Sequence, residues 1–161
     1  MKLQIATRIA IYAVCELASR PDRQLSASQI AERFDISVNH LGKVLRTLGR
    51  AGLVEALRGV GGGHRFRGNP KRVTLLDIIE LFEEVGPRPR GPHDPGASTL
   101  EGRALARVLD EIDDMTRATL GSITIATMLK IGQRKPPAGA QEGKQASRPR
   151  SRSGERRTAR A

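Results

Sequence analysis

The chain has 161 residues, which suits one domain with a modest core, and a formal net charge of +11, which suits a polyanionic partner such as nucleic acid. Its only aromatic residues are Tyr12, Phe34, Phe66 and Phe82. They are too few for the platform on which a single-strand binder stacks bases, so duplex recognition fits better. No apolar run reaches the length of a membrane span and the first helix lacks a signal-peptide pattern, so a cytoplasmic protein with no membrane partner is expected.

Residues 5–18, IATRIAIYAVCELA, are of helix length, apolar nearly all round and free of Gly and Pro, and predict a buried first helix. They include Cys15, the single cysteine of the chain, which excludes an internal disulfide framework and an all-cysteine metal site within one chain. With Ile11, Val14, Leu17 and Ala18 around it, Cys15 reads as a buried small apolar residue rather than a redox switch. Pro21 and Asp22 break the helix. Residues 26–34 predict a short amphipathic helix with Ile30, Ala31 and Phe34 inward and Ser28 as its cap. After a turn at Asp35-Ile36-Ser37, Ser37 is expected to cap a helix over 38–51. There Val38, Leu41, Val44, Leu45 and Leu48 repeat at helical spacing and Gly52 ends the run. Two helices across a three-residue turn are the signature of a helix-turn-helix.

Two strand-like runs, LVEALRG and HRFRG, flank glycines at 59, 61, 62 and 63 and predict a hairpin, which after a recognition helix is a wing. Thr74 is expected to cap a helix over 75–85, with Asp77 near its positive end. Residues 86–98, with four prolines and three glycines, read as a loop. A helix over 100–120 follows, with Leu105, Val108, Leu109, Ile112, Met115 and Leu120 on one apolar face. After Gly121 and Ser122 a short apolar helix continues over 123–131, and from 133 the composition is that of a disordered basic tail. The expected architecture is mainly α with a small β wing. It consists of a winged helix-turn-helix over 1–85, a loop over 86–98, dimerisation helices over 99–132 and a tail over 133–161. Net charge runs +8 over 1–73, −3 over 74–98, −1 over 99–132 and +7 over 133–161, so the middle is the poorest candidate for touching phosphate.

The expected recognition helix turns Asn39, His40, Gly42, Lys43, Arg46, Thr47 and Arg50 outward. Its N-terminal turns are the part that enters the major groove. Asn39 suits a paired contact to adenine and Lys43 a contact to guanine, while His40 suits a base or a phosphate. Gly42 removes bulk and lets the helix sit close. On the wing, Arg58, His64, Arg65 and Arg67 surround the glycines, and Arg58 and Arg65 are the better candidates for a narrow minor groove. With the two cap serines, the candidate DNA-binding set is Ser28, Ser37, Asn39, His40, Lys43, Arg46, Thr47, Arg50, Arg58, Arg65 and Arg67. A solvated helix face and a hairpin made soluble by its arginines remain the plain alternatives. A phosphate loop is a poor reading of GVGGG, because no Walker Lys-Ser/Thr follows. His93 and Asp113-Asp114 read as solvated side chains, and no nucleophile–base pair argues for an enzyme.

Residues 1–132 resemble the Rrf2 family of bacterial winged-helix regulators, its nitric-oxide-sensing branch above all. The resemblance rests on MKLQIATRIAIYAV, on SASQIAERFDISVNHLGKVLRTLGRAGLVEALRGVGGGHRF and on VTLLDIIELFEE. It implies a homodimer whose long helix, about 100–120, crosses to its partner, and a near-palindromic operator on double-stranded DNA. Many members hold an iron–sulfur cluster on three cysteines before the long helix, and the branch adds an acid near position 8 from the other subunit. This chain has no cysteine in that loop and has Arg8 at that position, which implies a member without a cofactor, its effector unknown. The leading expectation is therefore an operator-binding repressor. The alternatives are a non-specific nucleic-acid packaging protein driven by the basic head and tail, and a protein–protein adaptor.

Overall fold

The computed structural model describes residues 2–59, 61–86 and 95–134. Its elements, in chain order, are α1 (Ile5–Ala18), α2 (Ala27–Phe34), α3 (Val38–Arg50), β1 (Val54–Leu57), β2 (Gly63–Phe66), α4 (Leu75–Ile79), α5 (Leu100–Ser122) and α6 (Ile125–Gln133). It is mainly helical with one small antiparallel sheet. Residues 87–94 of the expected loop, which include His93, and 135–161 of the expected tail lie outside the described residues.

Helix α1 is the centre of the core. It packs on α2, α3, α4, α6 and β2 and buries nine of its 14 residues, while Ile5, Arg8 and Tyr12, at helical spacing, stay exposed. Ala10, Ala13, Val14 and Leu17 are fully buried. Two polar residues are buried with them, Thr7 and Glu16, and the Glu16 carboxylate pairs with Arg20 at 3.1 Å and Arg33 at 2.8 Å. Without such partners a charge at this depth would be strongly destabilising.

The start of α2 differs from expectation. Ser26, not Ser28, is the cap. Its hydroxyl accepts the Gln29 N–H at 3.1 Å, and the Gln29 side chain accepts the Ser26 N–H at 2.9 Å. Ser-x-x-Gln is a reciprocal capping box that satisfies two orphan donors, whereas Ser28 already lies in the first turn, exposed. Asp35 ends α2 in the left-handed region at φ 52°, which a short polar side chain tolerates. Ser37 begins α3 through its carbonyl, which accepts the Leu41 N–H at 2.9 Å. Its hydroxyl makes no capping bond, contrary to expectation. Leu41, Val44, Leu45 and Leu48 face inward as expected, but Val38 is 47% exposed, because it sits on the first turn before the stripe meets the core.

The wing pairs Val54 with Phe66, Glu55 with Arg65, Ala56 with His64 and Leu57 with Gly63. Gly59 and Gly61 adopt φ of 105° and 80°, values that L side chains rarely reach. Leu25 adds a third strand position, exchanging backbone hydrogen bonds of 3.0 and 2.8 Å with His64. Gly63 permits this approach, since a Cβ there would lie 2.8 Å from the Leu25 carbonyl oxygen.

Thr74 caps α4 with Asp77 in a second reciprocal box. The helix expected to reach 85 stops at Ile79, and the chain continues in tight turns. Side-chain anchors on both sides account for this. Glu83 accepts the Thr7 hydroxyl at 2.5 Å and the Gln4 N–H at 3.1 Å at the start of α1. Arg117 of α5 pairs with Glu80 at 2.7 Å and donates to the Val85 carbonyl. Helix α5 is capped by Thr99 and has no buried residue. The chain then returns to the body. Ile125 is fully buried, and the Ile125 and Ala126 N–H groups donate to the carbonyls of Val73 and Pro70. Among the described residues no helix is long and apolar enough to cross a membrane.

Candidate nucleic-acid interface

The apolar stripe of α3 is spent on the core, so its polar residues must face away. Asn39, Lys43, Arg46 and Arg50 are exposed, and His40 and Thr47 are half-buried. The Thr47 hydroxyl donates back to the Lys43 carbonyl at 3.4 Å, a long, weak bond. Nothing lies within 4 Å of where a Gly42 Cβ would stand, so this face of the helix is open.

Helix α3 and the wing meet along an open groove of about 570 Å³. Arg46 and Arg50 line it from the helix, Arg58 and His64 from the hairpin, and Gly42 and Gly49 widen it. Three guanidiniums with no carboxylate among the lining residues make it a cationic trough. Burial pushes the His64 imidazole below its ordinary value, outweighing a hydrogen bond to the Leu25 backbone that pulls the other way. Its Nδ1 is buried without a hydrogen-bond partner. The neutral ring is therefore a wall of the groove rather than a fourth cation.

The structure divides the wing arginines. Arg58 shares the groove with Arg46 and Arg50. Arg65 and Arg67 both reach Glu55, at 3.2 and 3.7 Å. Sequence reasoning passed over Glu55, although the hairpin register alone sets it opposite Arg65. It also passed over Ser26 and Gln29, whose Ser-x-x-Gln spacing marks the true start of α2. Ser28 is exposed on the first turn of α2, and Ser37 is exposed where α3 begins.

An amphipathic helix laid over a core, preceded by a short helix and a tight turn and followed by a basic hairpin, defines a winged helix-turn-helix protein of the DNA-binding class. The comparisons narrow the class. The Rrf2 family model, described as an iron-dependent transcriptional regulator, matches residues 3–131, and the chain belongs to that family. The HTH-type transcriptional regulator BadM of Rhodopseudomonas palustris is 53% identical over 135 residues, 81% of this chain and 83% of that protein. NsrR of Bacillus subtilis is 38% identical over 85 residues, 52% of this chain and 58% of that protein. Among solved structures, the B. subtilis cysteine regulator CymR has a TM-score of 0.70 at 24% identity, covering 81% of this chain and 98% of that one. T. potens IscR has a TM-score of 0.67 at 25% identity, covering 83% and 89%. The chain is thus a sequence-specific transcriptional regulator with a winged-helix DNA-binding fold, and not an enzyme.

The donor set of the chain does not fit an iron–sulfur cluster, for which thiolates are the ordinary ligands. Cys15 is the only thiol, and it sits half-buried against the core on α1, where burial pushes its pKa up and favours the protonated form. Among the described residues no three His, Cys, Asp or Glu side chains come together in a metal-binding group.

Proposed function

We propose that this regulator is a homodimeric repressor that binds a near-palindromic operator and works without an iron–sulfur cluster, in the cytoplasm of a bacterial cell. The observation that carries the DNA reading is the groove between α3 and the wing, where Arg46, Arg50 and Arg58 meet beside the open N-terminal face of the helix. In this reading Asn39, His40 and Lys43 read bases in the major groove. The trough seats a phosphate strand, and Arg65 and Arg67 reach the flanking minor groove. Ser28, Ser37 and Thr47 add hydroxyls to the same surface. Residues 1–85 form the DNA-binding part and α5 the dimerisation part, and the tail from 133 adds non-specific affinity.

Selection of bound duplexes from a fragment library tests the DNA reading. One preferred, near-palindromic sequence is expected, and it should bind far above a scrambled duplex at every salt concentration. Binding that only weakens with salt, with no preferred sequence, would sink it in favour of non-specific packaging. Anaerobic purification tests the cofactor reading. Colourless protein without stoichiometric iron or sulfide is expected, and an absorbing sample with about two or more irons per chain would refute it.

A further inference from the structure

A second cavity, of about 360 Å³, lies away from the DNA-binding groove, where α1, α4 and α6 meet. That volume lies at the small end of the range for small-molecule sites. Its walls are Leu3, Ile11, Leu75 and Met128, all apolar. Its two polar residues are Arg8 and Tyr12, one turn apart on α1. The Arg8 guanidinium is exposed, and its Nη2 donates to the Tyr12 hydroxyl at 3.4 Å, a long bond. Among the described residues no carboxylate pairs with Arg8. A fork donor with no carboxylate partner among the described residues and a phenol over an apolar pit form a definite recognition pattern. The guanidinium suits a planar carboxylate, bidentate where the approach allows, and the pit suits a short apolar body.

We propose that this cavity is the effector site of the regulator and takes an amphipathic monocarboxylate, an organic acid with an apolar chain or ring. Its position joins it to both working parts of the molecule. The Tyr12 ring stacks on Phe34 at 5.4 Å between centroids and 21° between planes. Phe34 is the last residue of α2, immediately before the turn into the recognition helix. Met128 belongs to α6, which follows directly on the long helix α5. A carboxylate that draws Arg8 from the Tyr12 hydroxyl therefore acts on the ring that packs against the end of α2. A ligand with no such anion gains only the apolar walls. The effector role rests on the operator-binding reading, whereas the binding itself does not.

The chain has one tyrosine and no tryptophan, so its intrinsic fluorescence reports Tyr12 alone. The full-length protein is titrated without DNA against straight-chain carboxylates from butanoate to decanoate and against 3-phenylpropanoate, with the matching alcohols as neutral controls. A saturable change is expected for at least one acid and not for its alcohol. Arg8→Gln should weaken that acid roughly tenfold or more, the loss of one charge-assisted contact, and Arg8→Lys should weaken it less. Arg8 is exposed, so both variants should keep the wild-type circular dichroism. The acid that binds should also shift affinity for the selected operator in the wild type but not in Arg8→Gln. No saturable response to any acid, an equal response to the alcohols, or an unchanged Arg8→Gln would overturn the site. A tyrosine signal that follows protein concentration and ignores the acids would mean that a second copy fills the cavity, and would overturn it too. An Arg8-dependent response with operator affinity unmoved would overturn the effector role. If no operator is selected at all, the fluorescence arm still decides binding.

Discussion

Helices α1 and α5 both carry enough apolar residues to look like core elements, yet α1 has nine buried residues in 14 and α5 has none in 23. Most apolar side chains of α1 are closed over by five other elements, Ile5 and Tyr12 excepted. Those of α5 stand open, with Leu105 at 59%, Val108 at 56%, Ile112 at 47% and Met115 at 55% exposure. They lie at spacings of three and four residues, along one stripe. A continuous exposed stripe of this kind marks an interaction surface rather than a fold defect. The core of the body is thus covered by its own chain, while the stripe of α5 stands open. We propose that a second copy covers it in an isologous pairing.

The largest effects should come from the same kind of substitution made on each side of this contrast. Leu17→Ala removes a fully buried side chain from α1 and should cost about 2–5 kcal/mol of folding stability, whatever the protein concentration. Leu109→Asp with Ile112→Asp should leave the folded body intact by circular dichroism, yet give monomers by light scattering. Operator affinity should fall by two orders of magnitude or so, since two half-sites would then be bound independently. A dimer that survives the double substitution would break the comparison and move the interface off α5.

Most of the body was legible in the sequence, because periodicity and punctuation act locally. The stripe of α3, the glycines of the wing and the Thr74–Asp77 box each announce themselves within a few residues. What was not legible depends on contacts distant along the chain. The early end of α4 follows from Glu83 reaching Thr7 and from Arg117 reaching Glu80. The third strand position at Leu25 exists only once His64 is beside it. The return of Ile125 to the core could not be told from dimerisation, since an apolar residue looks the same whichever surface buries it. Within the candidate site, the outward residues of α3 followed from its inward ones, but the split of the wing arginines between groove and Glu55 did not.

The next effects separate reading from holding within the body. Asn39→Ala and Lys43→Ala should each lower operator affinity by about 1–3 kcal/mol while leaving a scrambled duplex nearly unchanged. Arg46→Ala, Arg50→Ala and Arg58→Ala should weaken both duplexes alike and lower the dependence on salt, because all three line one trough. Equal losses on both duplexes for Asn39→Ala and Lys43→Ala would move base reading elsewhere on α3. Glu55→Gln tests the opposite sign. It releases Arg65 and Arg67, so affinity for scrambled DNA should rise a few-fold with a steeper salt dependence, and the ratio of operator to scrambled binding should fall. A loss of affinity instead would show that Glu55 positions the arginines for DNA rather than withholding them.

The smallest effect expected is on pH dependence, and it belongs to the body alone. His64 has a depressed pKa in the folded state, while the unfolded chain titrates near the ordinary value of about 6.5. Below that value the unfolded state binds the proton more readily than the folded state. The stability contributed by the neutral ring is therefore present above about pH 6.5 and is lost as pH falls from there toward the folded pKa. The structural reason is burial of the ring, whose Nδ1 has no hydrogen-bond partner. Urea midpoints measured between pH 5 and 8 should fall toward the acid side in the wild type and more gently in His64→Gln. The Leu109→Asp, Ile112→Asp background should keep the wild-type slope, because His64 lies in the wing and not on α5. An identical slope in His64→Gln would place the acid sensitivity in other groups and would show that the imidazole is solvated on unfolding no more than on folding.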